Sequence, residues 1–246
     1  MAPFKDHFSL QSDAYRRFRP DYPATLFEWL AAQAPGRRLA IDVATGNGQA
    51  AAGLAGHFEH VIAADPSAAQ LTQAAAHPRI EYRCEAAESI SVASGSADLL
   101  IVAQAAHWFD WPRFVEQARR ALRPAGVLAF WTYGNCVVTP AIDRLVADFS
   151  RDVVGPYWPR ERRHVEEGYR DLVVPLPALE APAFEMRTRW DAAAMLGYLD
   201  TWSAVRRCRA RSGRDPLGLL VQPLSAAWGE GLREMRWPLV VRAHRN

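Results

Sequence analysis

The sequence predicts a doubly wound α/β domain, and three observations carry that reading. Apolar runs at 39–44, 61–64, 99–103 and 127–131 lack polar alternation, as expected of parallel strands covered on both faces. Helical patterns fill the gaps between them, giving a βαβ rhythm. A glycine-bearing turn, Asp42-Val43-Ala44-Thr45-Gly46-Asn47-Gly48, follows the first run at the carboxyl end of its strand, the edge where ligands bind in such sheets.

In chain order, the run at 39–44 is the first strand and Gln49 to His57 the first crossover helix. After the second run, Ser67 can cap a helix reaching about Ala76, where His77-Pro78 stops it. Ile80 to Cys84 reads as a further strand. Phe114, Val115, Ala118, Ala121 and Leu122 form a helical stripe over Trp111 to Leu122, ended by Arg123-Pro124-Ala125-Gly126. From Asn135 to Pro182 six prolines break the rhythm, which predicts a mostly helical insertion. Phe184 to Trp190 resumes as a strand. Helices around Ala192 to Arg207 and Pro216 to Trp228 follow, with a last strand near Met235 to Arg242 that Pro238 assigns to a sheet edge.

The chain has 246 residues, half of them apolar, which suits one large domain with an extensive core. A formal charge of +2 from balanced acids and bases gives no general attraction to nucleic acid or anionic lipid. Lys5 is the only lysine, so a mechanism needing a buried catalytic lysine is excluded. Cys84, Cys136 and Cys208 are odd in number and widely spaced, arguing against disulfides and zinc and for a reducing cytoplasm. The N-terminus carries no apolar leader and no run reaches the ~20 residues of a membrane helix, so a soluble, cytoplasmic protein is expected. Oligomeric state is not legible.

Gly46 and Gly48 permit a sharp turn off the strand and close passage beneath a ligand. Asp65, ending the second run, stands where a carboxylate can accept hydrogen bonds from both hydroxyls of a ribose. Gly46, Gly48 and Ala51 satisfy the loose dinucleotide pattern G-x-G-x-x-G/A, so a nicotinamide or flavin cofactor enters the comparison. Asp42 weighs against it, because a carboxylate beside the turn repels phosphates. A cationic, phosphate-free ligand such as S-adenosylmethionine suits it better.

Residues 42–48 resemble the first motif of the class I S-adenosylmethionine-dependent methyltransferases, D/E-x-G-x-G-x-G, with Ala44 replacing the first glycine; Asp65-Pro66-Ser67 resembles their second. The resemblance runs from Phe8 nearly to the C-terminus and is closest to the trans-aconitate methyltransferase-like branch of methyltransferase type 11. It is carried by Phe8-Ser9, Ala14-Tyr15, Phe18-Arg19-Pro20-Asp21-Tyr22-Pro23, Ala87-Glu88 and His107-Trp108-Phe109. Leu122-Arg123-Pro124, Gly197-Tyr198, Thr201-Trp202-Ser203 and Trp237-Pro238-Leu239 match further on. The resemblance implies a Rossmann-like, doubly wound seven-stranded sheet with strand 7 antiparallel and helices on both faces, as one domain over 1–246. It further implies a helical segment at 1–36 over the cofactor site and a cap insertion at 135–183 between strands 5 and 6.

S-adenosylmethionine is the implied cofactor. Ala44, Thr45, Gly46 and Asn47 would hold its methionine end, Asp65 the ribose and Ala86-Ala87 the adenine edge. Gln104 would face the methionine backbone, Tyr15 and Arg19 would close over it, and Asp42, Gly48 and Pro66 complete the set.

Methyl transfer is an in-line displacement that depends on alignment and exclusion of water, with no metal required. A carboxylate acceptor, as the resemblance implies, needs no base; an alcohol or amine does, and His107 is the candidate catalytic residue. His107 equally suits a plain turn role. Trp108, Trp131, Tyr133, Tyr157 and Trp158 either line a substrate pocket with His107 or pack the cap. Arg160, Arg162 and Arg163 either clamp an acidic substrate or form a solvated helix face. Arg206, Arg207, Arg209, Arg211 and Arg214 complement a helix end, with a phosphate-binding patch as the competing reading. The expected partner is a small-molecule acceptor, with neither nucleic acid nor membrane. A non-catalytic S-adenosylmethionine-binding protein and a nicotinamide-dependent oxidoreductase are the alternatives.

Overall fold

A computed structural model of the chain describes residues 18–246. Tyr15 and the motifs Phe8-Ser9 and Ala14-Tyr15 lie outside the described residues. Strand β1 (Leu39–Val43) is central, with β2 (His60–Ala64) and β3 (Ile80–Arg83) on one side and β4 (Ala97–Ala103) and β5 (Leu122–Thr132) on the other, all parallel. β8 (Arg233–Arg245) then runs antiparallel to β5, from Val127 opposite Arg245 to Thr132 opposite Val240.

Among the described residues the sheet has eight strands where seven were expected. β8 is long enough to take two partners on its far side. β7 (Phe184–Trp190) pairs with Arg233–Leu239, and the two-residue β6 (Ala178–Leu179) pairs with Ala243 and His244. Pro182 lies between them and cannot supply a ladder donor. The expected edge position for the last strand is corrected: β8 is interior. Pro238 is tolerated because the β5 ladder reaches only Val240–Arg245, leaving the residues around Pro238 without a β5 partner.

Alternation along the central strands divides the core between two faces. Leu99, Ile101, Val127, Ala129 and Trp131 pack against α1 (Ala24–Gln33), α2 (Gln49–Ala55) and the later helices. Leu100, Val102, Leu128 and Phe130 meet Phe114, Val115, Ala118 and Ala121 of α4 (Trp111–Ala121). Helix α3 (Ala68–Leu71) is capped by Ser67 as expected but stops well short of Ala76. Thr72 Oγ1 turns back to the Ala69 carbonyl, and the Tyr82 hydroxyl donates to the Ala75 carbonyl at 3.0 Å, pulling the chain out of helix.

The stretch from 135 to 183 carries α5 (Pro140–Asp148), a π turn at Phe149–Val153, a 3-10 turn at Gly155–Tyr157 and α6 (Arg162–Glu166). It also contributes β6. Helices α7 (Ala192–Asp200) and α8 (Ser203–Ser212) divide at Thr201-Trp202, where Trp202 is extended, and α9 (Gly218–Trp228) follows. Ile142 and Val146 of α5 share one core with Leu220 and Leu224 of α9, so the insertion and the β7–β8 connection form a common helical layer.

At the opposite end of the sheet, buried Asp98 accepts the backbone N–H groups of Arg38 and Leu39 at 2.9 and 3.0 Å and pairs with Arg123 at 3.0 Å. That cluster fixes the start of β1. The carboxyl end of β1 is thereby free to turn.

Candidate functional site

The turn after β1 passes through the left-handed region three times, at Ala44 (φ 56°), Gly46 (φ 58°) and Gly48 (φ 84°). Glycine is needed most at Gly48, where a Cβ would stand 2.5 Å from the Tyr82 hydroxyl. Ala44 adopts a conformation that favours glycine, at a cost of about 1–2 kcal/mol. Surrounding hydrogen bonds hold it. Thr45 N donates to the Ala64 carbonyl at 3.0 Å, and Thr45 Oγ1 donates to Asp42 Oδ2 at 2.6 Å.

Asp65 binds the same turn from β2. Its Oδ2 accepts the Gly46 N–H at 2.9 Å and its Oδ1 the Ser67 N–H at 2.8 Å. This clamp was not legible in the sequence. A carboxylate has roughly four acceptor sites, so these two bonds do not exhaust Asp65.

A cavity of about 670 Å³ opens above the turn. Ala44, Thr45, Gly46, Asn47, Asp65, Pro66, Ala86, Ala87 and Gln104 line it, together with Trp108 and Tyr22. Asp42 and Gly48 do not. Asp42 is wholly buried beneath the turn, where loss of solvation pushes its carboxyl up to about 7. The charge at the cavity wall comes instead from Asp65, Glu88, Asp110 and Glu161, against one guanidinium, Arg113.

Gln104 (φ 57°) is the second strained residue on the wall. Its Oε1 accepts Thr132 Oγ1 at 2.8 Å and Tyr133 N at 2.9 Å, while Nε2 donates to the Tyr133 carbonyl at 3.1 Å. The amide therefore ties the ends of β4 and β5 together. The Gln104 N–H donates to the Trp131 carbonyl at 2.9 Å, so its own carbonyl is what remains for a ligand.

His107 leaves the end of β4 in the 3-10 turn Ala106–Trp108, and its ring lies 4.7 Å from that of Trp108. Its Nδ1 and the Tyr169 hydroxyl are 2.8 Å apart. Burial, with Arg162 and His164 nearby, lowers its pKa to about 3, so the ring is neutral at physiological pH.

The other aromatic candidates separate into packing and pocket positions. Trp131 is fully buried edge-on to Tyr22, a core position. The Tyr133 hydroxyl accepts Arg19 Nη1 at 3.0 Å, and the Arg19 guanidinium lies 5.1 Å from the Tyr198 ring. Trp158 packs 5.3 Å from Trp202 and carries the Arg162 guanidinium 4.4 Å from its ring. Tyr157 accepts Arg207 at its carbonyl. Neither Arg19, His107, Trp131, Tyr133, Tyr157 nor Trp158 lines the cavity above the turn; Trp108 does.

Of the three candidate clamp arginines, Arg160 and Arg163 are exposed and Arg162 is mostly buried. In the later basic cluster, Arg209 is neutralised by Asp200 and Asp215. Among the described residues no group of three or more potential metal ligands occurs, and no helix is long and apolar enough to cross a membrane.

The lining fits S-adenosylmethionine. A turn nearly free of side-chain bulk, a ribose-competent carboxylate and a net acidic wall suit a cationic adenosyl ligand and oppose a pyrophosphate. Comparison with known proteins agrees. Residues 41–130 match the model of the Methyltransferase domain family. Over 237 residues the chain is 35% identical to a Dictyostelium discoideum protein named as a methyltransferase, covering 92% of this chain and 87% of that one. A Saccharomyces cerevisiae protein named as an S-adenosylmethionine-dependent methyltransferase is 31% identical over 134 residues, 51% of this chain and 46% of its own. A solved structure from Anaeromyxobacter dehalogenans, named as a type II methyltransferase, superposes with a TM-score of 0.87 at 47% identity, covering 93% of this chain and 98% of that chain. With that likeness over nearly its full length and a turn and cavity of the fitting chemistry, the chain belongs to the class I S-adenosylmethionine-dependent methyltransferases.

Proposed function

We propose that this enzyme methylates a small acceptor at a carboxylate, with Ala44, Thr45, Gly46, Asn47, Asp65, Pro66, Ala86, Ala87 and Gln104 holding S-adenosylmethionine. The cofactor, when bound, supplies an electrophilic methyl: an acceptor lone pair forms the new bond to carbon as the carbon–sulfur pair leaves with sulfur. The chain's own part is alignment and exclusion of water. The cap at 135–183 encloses the acceptor in this reading, within a single domain over 1–246; of the N-terminal segment 1–36, residues 1–17 lie outside the described residues.

The observation that carries the acceptor class is Arg162. Its side chain is 19% exposed, and its Nε makes no hydrogen bond. Burial and the nearby Arg19 both make its charge costly, and its nearest carboxylate, Glu166 at 3.6 Å, is exposed to solvent. A mostly buried guanidinium whose charge a second guanidinium also opposes is offset best by an anion. Tyr133, which accepts from Arg19, and the neutral His107, whose pKa Arg162 helps lower, supply polar groups without a negative charge.

Turnover with S-adenosylmethionine on a panel of small carboxylic acids, phenols and amines tests the proposal. Methylation confined to acids supports it. Methylation confined to phenols or amines overturns it.

A further inference from the structure

We infer that Asp42 is a specificity-determining residue for the donor: it favours the sulfonium of S-adenosylmethionine over the neutral thioether of S-adenosylhomocysteine by giving up a proton when the donor binds. The inference rests on the assignment of the turn at 44–47 to the donor's methionine end.

Asp42 is wholly buried at the end of β1, beneath the turn whose residues Ala44, Thr45 and Gly46 line the cavity. Its Oδ2 accepts the Thr45 hydroxyl at 2.6 Å, whereas its Oδ1 makes no hydrogen bond. Strand register sets Ala63 of β2 and Ile101 of β4 beside it, both apolar. The charged and titratable groups that face it are Asp65 from β2, which opposes its ionisation, and the Tyr82 phenol from β3, whose own ionisation burial pushes up. No cation is among them. The Thr45 hydroxyl and the Ala51 N–H of α2 favour the ionised form without offsetting the lost solvation, so the carboxyl titrates at about 7 in the ligand-free chain.

Methyl transfer removes one positive charge above this residue. The donor arrives with a sulfonium; once the methyl carbon has bonded to the acceptor's lone pair, sulfur keeps the carbon–sulfur pair and is neutral. Both forms carry the same ammonium and carboxylate, so the sulfonium is the difference that Asp42 meets. A positive charge across the turn favours the ionised carboxylate, and the proton passes to solvent, with the Thr45 hydroxyl as the polar group joining Asp42 to the cavity. With the product in place that attraction is absent and a proton returns from solvent. A unit charge at this remove from a shielded carboxylate is worth about tenfold in affinity. The advantage follows pH. Below about pH 5 Asp42 is protonated with either ligand and does not tell them apart; above about pH 8 it is ionised with either and the donor gains in full.

The test is calorimetry of S-adenosylmethionine and S-adenosylhomocysteine in buffers of differing ionisation enthalpy, which reads the protons released on binding. At about pH 6.5 the donor should release about half a proton more than the product. Between about pH 5 and 8 the ratio of product to donor dissociation constants should rise about tenfold relative to the same ratio in Asp42→Asn, which shares the ligands' own titration and lacks that of Asp42. Binding of both ligands to the wild-type enzyme with equal proton release overturns the inference and keeps the assignment of the turn, whether or not the variant folds. A wild-type difference that survives in Asp42→Asn overturns it equally. Failure of both ligands to bind rejects the assignment and the inference together.

Discussion

Asp65 accepts the N–H of Gly46 at 2.9 Å, so the carboxylate proposed for the donor's ribose also holds the turn proposed for the donor's methionine end. Substitution there should affect binding and folding together. Asp65→Ala removes charge-assisted bonds worth roughly 1.5–3 kcal/mol, and the dissociation constant for S-adenosylhomocysteine should rise about 10- to 100-fold by calorimetry. Asp65→Asn should also fail, since its amide hydrogens would face one of two N–H donors. An unchanged affinity in either variant refutes the ribose assignment.

Ala44 occupies backbone space that favours glycine, and its methyl adds strain without forming part of a clamp. Ala44→Gly should stabilise the enzyme by up to about 1 kcal/mol, or roughly 2–4 °C in Tm for a chain of this size. Ala44→Val should lower the Tm, because a β-branched residue tolerates that region less well. Scanning calorimetry of the three proteins decides it, and a Tm unaltered by both changes means the turn relaxes around this residue.

The buried Asp42 sets a pH slope. Its pKa rises from 3.8 to about 7 on folding, so the folded chain holds a proton that the unfolded chain has released between those values. Stability contributed by the protonated form is therefore complete below about pH 4 and is lost as pH rises to about 7. Asp42→Asn keeps an acceptor for Thr45 and removes the ionisation, so it should be more stable than wild type at pH 8 and equal to it at pH 4. Equal stabilities at both pH values would show that Asp42 stays charged in the fold.

Much of the frame was legible because its signals are local. β1, β2 and β4 are short apolar runs whose burial needs no knowledge of the rest of the chain, and Ser67 caps its own helix. The misses are long-range. Helix α3 ends early because Tyr82 claims the Ala75 carbonyl, and an interior β8 tolerates Pro238 because the ladder to β5 ends at Val240. The site divides in the same way. The motif residues 44–47, with Asp65, Ala86 and Ala87, do line one cavity, whereas Asp42 carries the motif's charge in sequence yet lies under the floor in space. His107 reads as a base when seen alone. Its partner Tyr169 lies 62 residues away, and its neighbour Arg162 belongs to the insertion.

Arg162 offers a test that separates stability from recognition. A buried cation near Arg19 is a poor contributor to folding, so Arg162→Met should leave the Tm unchanged or raise it. The same change should raise the acceptor KM about 10- to 100-fold, the worth of a charged hydrogen bond, with donor affinity intact. Loss of stability without any change in KM would make Arg162 a packing residue of the cap.

The carboxylate claim is tested most directly by the bond that forms. Product made with methyl-labelled S-adenosylmethionine from any acceptor the enzyme accepts should be a methyl ester, releasing its label as methanol in mild base. Label that stays fixed under base, as in an ether or a methylamine, would contradict the account.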